Sequence, residues 1–392
     1  MSLMKRNVLF LSAAERWNLG DLLFPIMFAW YARREGIHFV NLGLREFKSH
    51  DSDIIDVYDI RDYIHSKNSA LVIGGGEVLG ATTMTLLRFI EERNRIGPMW
   101  IQILSKIARA SRLRILIRLV DRVTQIICQA KYGMYSIRAI PFYVGVCSKL
   151  PRIYLPVGGH FPKVETTLGD RILKESVRNT IGIAARDERT LSTFPKELKS
   201  ELIPDPVSTI SNVFPAIERK KRVVIQFSHH KLSFELDRLV KLLRAFSSKG
   251  YEIYGLAIGR CPGHLDIDSL ELLQSKIPEL VMPQAETVRA SCEILSSASV
   301  YIGTSLHGAI ISHAYGNAVI GIAGSVPKLS SYMRTWMGEF AMSYDGRSEN
   351  EGFTSFAENF DHDSAKANSR KLAGKAEMYT ELVLSKIAAM DE

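Results

Sequence analysis

Val300–Ile322 reads VYIGTSLHGAIISHAYGNAVIGI, and it lies inside a longer run, Ile294–Pro327, without a single Asp, Glu, Lys or Arg. The run is long enough to cross a membrane, but its content is wrong for that. Gly303, Gly308, Gly316 and Gly321, with His307, His313 and Asn317, divide it into a strand, a hydroxyl-bearing loop, a helix and a second strand. A strand–helix–strand unit this apolar belongs to a parallel sheet covered by helices. The expected pieces are a strand at Val300–Ile302, a helix at Leu306–Ala314 and a strand at Ala318–Ile322.

The same alternation of short apolar runs and helical patterns extends in both directions. Toward the N-terminus the expected strands are Asn7–Ser12, Ile37–Leu42, Ala70–Ile73, Pro141–Cys147 and Thr180–Ala184, with a first helix over Leu22–Arg34. In the second half Arg222–Phe227, Tyr251–Ala257 and Leu280–Met282 read as strands, and Phe234–Phe246 and Glu286–Ser297 as helices. The turn Pro204-Asp205-Pro206, followed by a polar loop, is the best boundary between the halves. The sequence therefore predicts two doubly wound α/β domains facing a cleft, residues 1–212 and 213–392, the second ending in a helix over about 365–390. Folds of this kind bind ligands outside the carboxyl ends of their strands.

The chain has 392 residues, 50 Lys+Arg against 42 Asp+Glu, and a formal charge of +8. Between Gly97 and Ile140 eight basic residues face only Asp121, so this one segment carries nearly all of the excess. Such a balance points to one localised anionic contact and argues against a nucleic-acid partner. Within it, Leu113–Ile127 is amphipathic, with Arg114, Arg118 and Arg122 in a stripe opposite an apolar arc. Two readings stay open: a helical insertion, about 84–140, packed on its own domain, or a helix lying on an anionic membrane surface. Four cysteines, Cys128, Cys147, Cys261 and Cys292, have no CxxC spacing and read as reduced thiols. The two neighbours His229 and His230 cannot both face one metal from a strand, so no metal site is expected.

Candidate chemistry gathers at strand-to-loop junctions. Asn18-Leu19-Gly20-Asp21 follows the first strand and suits a helix cap. Gly74-Gly75-Gly76 lets a ligand approach the backbone, or is simply a tight turn. In Thr304-Ser305-Leu306-His307-Gly308 a helix start offers free N–H groups to an anion and sets a histidine at its mouth. His307 there suits general acid–base work, or a hydrogen bond within the loop. Arg186, at the end of the strand before Asp187 and Glu188, suits bidentate binding of a carboxylate or phosphate, or pairing with those acidic neighbours.

Taken in order, Asn18–Asp21, Gly74–Gly76, Ala185-Arg186-Asp187-Glu188, Pro204-Asp205-Pro206 and Gly303–Ala309 resemble the polysaccharide pyruvyl transferases. The resemblance continues through His313–Asn317 into the next strand. It implies two Rossmann-like domains in the GT-B arrangement, the first on the acceptor side and the second on the donor side. It also implies transfer of a pyruvyl group from phosphoenolpyruvate to two hydroxyls of a glycan sugar, with a ketal formed and phosphate released.

On this reading His307 is the acid, Arg186 holds an anionic group, and Asp21, or Asp187 as second choice, accepts the hydroxyl proton. Asn18, Gly20, the three glycines, Thr304, Ser305 and Gly308 bind substrate. One departure stands out: many members of the family carry Arg where this chain has Ser305. Arg260, Lys328, Arg334 or His229 are the cations that can substitute, and His160 in Leu155–His160 can reach the cleft or serve its loop. The alternative on the same scaffold is a glycosyltransferase using a nucleotide-sugar donor. The resemblance implies no cofactor beyond the donor substrate, a lipid-linked glycan acceptor, and a cytoplasmic location against the inner membrane face.

Overall fold

A computed structural model describes residues 7–63, 69–80, 150–161, 174, 177, 180–261 and 264–389. The first sheet is built from β1 (Asn7–Leu11), β2 (Phe39–Gly43), β3 (Tyr58–Asp59), β4 (Ser69–Ile73), β5 (Arg152–Val157), β6 (Gly182–Ala185) and β7 (Ser200–Leu202). Its order is β3-β2-β1-β4-β5-β6-β7, every pair parallel. The second sheet holds β8 (Arg222–Gln226), β9 (Glu252–Gly255), β12 (Val300–Gly303), β13 (Ala318–Gly321) and β14 (Ala341–Ser343). It runs β14-β13-β12-β8-β9, again all parallel. A short antiparallel pair, β10 (Arg260–Cys261) and β11 (His264–Leu265), stands outside both sheets. This is the GT-B-like arrangement of two doubly wound sheets. Strands β4, β5, β8, β12 and β13 are buried along their whole length, because helices cover both faces, and so they read as continuous apolar runs.

In each sheet the strand order reverses once, between β1 and β4 in the first and between β8 and β12 in the second. At a reversal the connections leave to opposite faces and open a crevice at the carboxyl ends. Helix α1 (Leu19–Arg34) leaves the first crevice and is buried on nearly every side. One face meets its own sheet, where Phe28 stacks on Phe10 at 4.6 Å. The other meets α5 (Val288–Ser296) and α6 (Leu306–Ala314) of the second half. That double burial explains why α1 is apolar all round and not amphipathic.

The halves are joined at three further places. Asn18 forms an antiparallel bridge with Gly259, Leu19 N–H donates to the Ile258 carbonyl at 3.0 Å, and Arg260 N–H donates to the Trp17 carbonyl at 3.0 Å. On the rim, Val288 N–H donates to Asp51 Oδ2 at 2.8 Å and Arg289 pairs with Asp53 at 3.0 Å. The C-terminal helix, α9 (His362–Ala388), starts on the second half, where Ser369 donates to the Ala314 carbonyl. It ends on the first, with the Tyr379 hydroxyl donating to the Tyr154 carbonyl at 3.2 Å.

Four points of the sequence reading differ from this structure or lie beyond it. Leu280–Met282 is not a strand; only Val281 bridges, to Tyr254. Arg152–Val157 is a central strand that is not among the expected ones, for a reason visible in its register, which shifts between Tyr154 and Pro156. Proline cannot donate to the ladder and is accommodated at such irregularities. The expected strand at 141–147 and the basic insertion at 84–140 lie outside the described residues. Among the described residues no helix is long and apolar enough to cross a membrane.

Candidate functional site

The two crevices face one another, and their contact is made by glycine. A side chain at Gly20, in the first turn of α1, would overlap the His307 imidazole, which sits in the first turn of α6. A Cβ at Gly76, in the loop after β4, would lie 3.5 Å from Arg186 and 3.7 Å from His307. His307 is therefore wedged between the two loops of the first crevice, with Phe24 edge-on at 5.5 Å and 12% of its side chain exposed.

Behind His307 lies a buried ion network. Arg186, fully buried, donates from Nη1 to Asp205 Oδ2 at 3.1 Å and from Nη2 to Glu77 Oε1 at 3.2 Å. Arg189, on the short helix α2 (Glu188–Leu191), reaches the same Glu77 oxygen at 2.6 Å. Asp205 Oδ2 also faces His307 Nε2 at 3.8 Å. Burial pushes Asp205 and Glu77 toward the neutral acid, but their partners outweigh it. His307 and Arg186 hold Asp205 below its ordinary value, and Arg186, Lys328 and Arg189 do the same for Glu77. Gly158 is small because a Cβ there would come within 2.6 Å of the Arg186 guanidinium.

The second crevice is held by Asp266, at the start of α4 (Asp266–Gln274). Its carboxylate accepts from Gln226 and Ser228 side chains, both at 2.8 Å, and from the Ile258 and Gly259 amides. Gln226 in turn accepts Ser305 N–H at 2.8 Å. Ser305 caps α6 by accepting Gly308 N–H at 3.2 Å, and Thr304 accepts Ser228 N–H at 3.3 Å. The sequence thus brings Thr304, Ser305, His307 and Gly308 to one place, but the two hydroxyls are committed to holding the loop.

Lys328 enters from α7 (Pro327–Tyr332) and Lys231 from the turn after β8. Both are half-buried, and neither side chain has an ion pair or hydrogen bond among the described residues. Burial pushes Lys328 down to about 8, against the pull of Glu77, and lowers Lys231 as well. Two partly desolvated cations that no acid contacts directly among the described residues are the components of an anion seat.

Other predicted residues serve elsewhere. Asp21 takes the Arg16 guanidinium on Oδ2 at 2.8 and 3.1 Å. Asp187 caps α2 by accepting Thr190 N–H at 2.8 Å. Asn18 precedes α1 in extended conformation and makes no side-chain cap. Gly74 lies against the Phe10 ring, and Gly75 has φ of +131°, which glycine tolerates. Arg260 stacks on Trp17 at 4.0 Å and donates to the Ala285 carbonyl, so it joins the halves and does not face the seat. His160 and His229 are exposed. Among the described residues no group of His, Cys, Asp and Glu is arranged for a metal ion.

The sequence reading missed Glu77, Arg189, Asp205 and Lys231 as site residues. Asp205 was visible, since prolines on both sides fix its position, but it read as a linker. It also missed Glu15, 1% exposed, with neither carboxyl oxygen hydrogen-bonded.

Solved structures similar to this chain include an α-glucosyltransferase in complex with UDP and a 13-mer DNA, 8% identical, with TM-score 0.48 over 98% of this chain and 100% of that one. UDP-GlcNAc 2-epimerase from Neisseria meningitidis bound to UDP-GlcNAc is 11% identical, with TM-score 0.46 over 97% and 100%. Medicago truncatula UGT71G1 complexed with UDP-glucose is 9% identical, with TM-score 0.45 over 99% of each chain. At these identities the likeness is one of fold.

The expectation of a ketal-forming pyruvyl transferase fed by phosphoenolpyruvate is corrected here. The guanidinium expected to bind the donor, Arg186, is paired with Asp205 and Glu77; the three structures named above, which show the fold alone, hold UDP or a UDP-sugar. The exclusion of nucleic acid is not kept: the α-glucosyltransferase named above is in complex with a 13-mer DNA, which is a property of that protein. No curated protein matches the chain. The model of one family, polysaccharide pyruvyl transferase, matches residues 125–325, and the chain belongs to that family.

Proposed function

We propose that the cleft transfers a sugar from a nucleotide-sugar donor to a glycan hydroxyl. The observation that carries this reading is a pair of lysines with no ion pair among the described residues, Lys328 and Lys231, near enough for the charge of Lys231 to lower the pKa of Lys328. A diphosphate needs cations and free amide donors that are not already paired, and these lysines supply the cations. Phosphoenolpyruvate would need a cation close to each of its two anionic groups. The family's usual Arg is Ser305 here, and Arg186 is engaged.

In the proposed step the acceptor oxygen forms a bond to the anomeric carbon as the carbon–oxygen bond to the diphosphate breaks. The leaving diphosphate keeps the electron pair, stabilised by Lys328 and Lys231. The hydroxyl proton passes to His307 as general base. The first domain would present the acceptor and the second the donor. The basic stretch 97–140 supports a cytoplasmic place against the inner face of a membrane.

Calorimetric titration with UDP and ADP tests this. One nucleoside diphosphate is expected to bind, and Lys328→Ala to weaken it at least about tenfold. Binding should also weaken as pH rises through about 8, where free Lys328 loses its proton. The anion raises the pKa of the bound lysine, so above pH 8 binding must take up a proton and affinity falls. Affinity unchanged by both the substitution and pH would remove Lys328 from the donor seat.

A further inference from the structure

Asp205 sits in the turn between Pro204 and Pro206, fully buried. Its Oδ1 accepts Val207 N–H at 3.0 Å and its own N–H donates to the Tyr332 hydroxyl at 3.2 Å. Arg186 takes Oδ2 at 3.1 Å. The carboxylate is thus fixed by Arg186 and the Val207 amide, and the Asp205 backbone by Tyr332 of the second half. His307 Nε2 is buried, has no hydrogen-bond partner, and points at Oδ2 from 3.8 Å. A movement of about 1 Å would make that contact a hydrogen bond. His307 rides on α6 of the second half, whereas Arg186 belongs to the first. Hydrogen bonds of this kind are commonly long before substrate binds.

We infer that Asp205 is the positioning residue of the site: it accepts the Nε2–H of His307, which fixes the tautomer and leaves Nδ1 to exchange a proton with the reacting hydroxyl, while Arg186 keeps Asp205 a charged acceptor. An unpartnered buried nitrogen next to a carboxylate has no other acceptor available, and the opposite tautomer would set a lone pair against Oδ2. The charged groups around the imidazole are Asp205 on the linker, Arg186 and Glu77 behind Asp205 and Gly76, Asp21 beside Gly20 on α1, and Lys328 on α7. Of these, Asp205 is the one recorded in contact with Nε2. The role assigned to Nδ1 rests on the reading of His307 as base, but the tautomer does not.

The test is ring-nitrogen NMR of His307 in isotopically labelled full-length protein, with His307→Gln to assign the signal. The expected result is the Nε2–H tautomer at neutral pH. In Asp205→Asn the fraction of the Nε2–H tautomer is expected to fall, with activity lost mainly in kcat. Asp205→Glu should recover part of both. An Nδ1–H tautomer in the wild type, or the same tautomer fraction in a folded Asp205→Asn protein, overturns the inference. Should Asp205→Asn not fold, the wild-type tautomer decides. The NMR readout needs no donor. A correct tautomer in an enzyme that uses no nucleotide sugar sinks the proposed function alone.

Discussion

At the scale of single residues, the site depends on charges that are buried and balanced. Arg186 was expected to hold the donor, and its residue type and place at a strand's carboxyl end were right for that role. Besides the adjacent Asp187, its closer partners are Glu77 and Asp205, away in sequence, so no local pattern could reveal that it is already paired. Glu15 is the opposite case, a buried carboxyl with no hydrogen bond, pushed up to about 7 by burial against the pull of Arg16. A folded-state value raised above the unfolded one means stability that is full below about 4.5 and lost as pH rises toward 7. The shift corresponds to on the order of 3 kcal/mol. Urea unfolding at pH 5 and pH 7.5 is therefore expected to show this loss in the wild type and a flatter profile in Glu15→Gln. The same slope in both proteins would show that Glu15 ionises freely.

At the scale of elements, much was legible. The helix at Leu306–Ala314 and the strands on either side stand where the glycine punctuation of that stretch sets them. What was not legible depended on pairing. β5 contains Pro156 and forms only because its neighbours supply the ladder around a register shift. Leu280–Met282 has strand composition but finds just one bridging partner. The reading also gave Asn18-Leu19-Gly20-Asp21 a capping role. Asn18 makes no side-chain cap, and Gly20 is there because α1 and α6 meet first turn to first turn. Gly20→Ala adds a methyl where the His307 ring lies. It is expected to destabilise the fold by about 1–3 kcal/mol and, by displacing the imidazole, to lower kcat on the order of 100-fold. Thermal melts and steady-state rates check this; a fully active variant would show that His307 needs no fixed position.

At the scale of the whole molecule, two sheets with different strand orders place their single reversals face to face. His307 and the lysines come from the second half, while Gly20, Gly76 and Arg186 come from the first. The bridge at Asn18 and Gly259, the Trp17–Arg260 stack and the returning helix α9 hold that meeting together. Family membership and fold do not fix the donor; the charges exposed to the cleft bear on it. The measurement that tests this most directly is a donor assay on the purified chain, with UDP-, ADP- and GDP-sugars and phosphoenolpyruvate offered side by side with a glycan acceptor. The account predicts release of a nucleoside diphosphate from one nucleotide sugar, reduced at least about 100-fold by His307→Ala. Phosphate release from phosphoenolpyruvate, with every nucleotide sugar untouched, would contradict it.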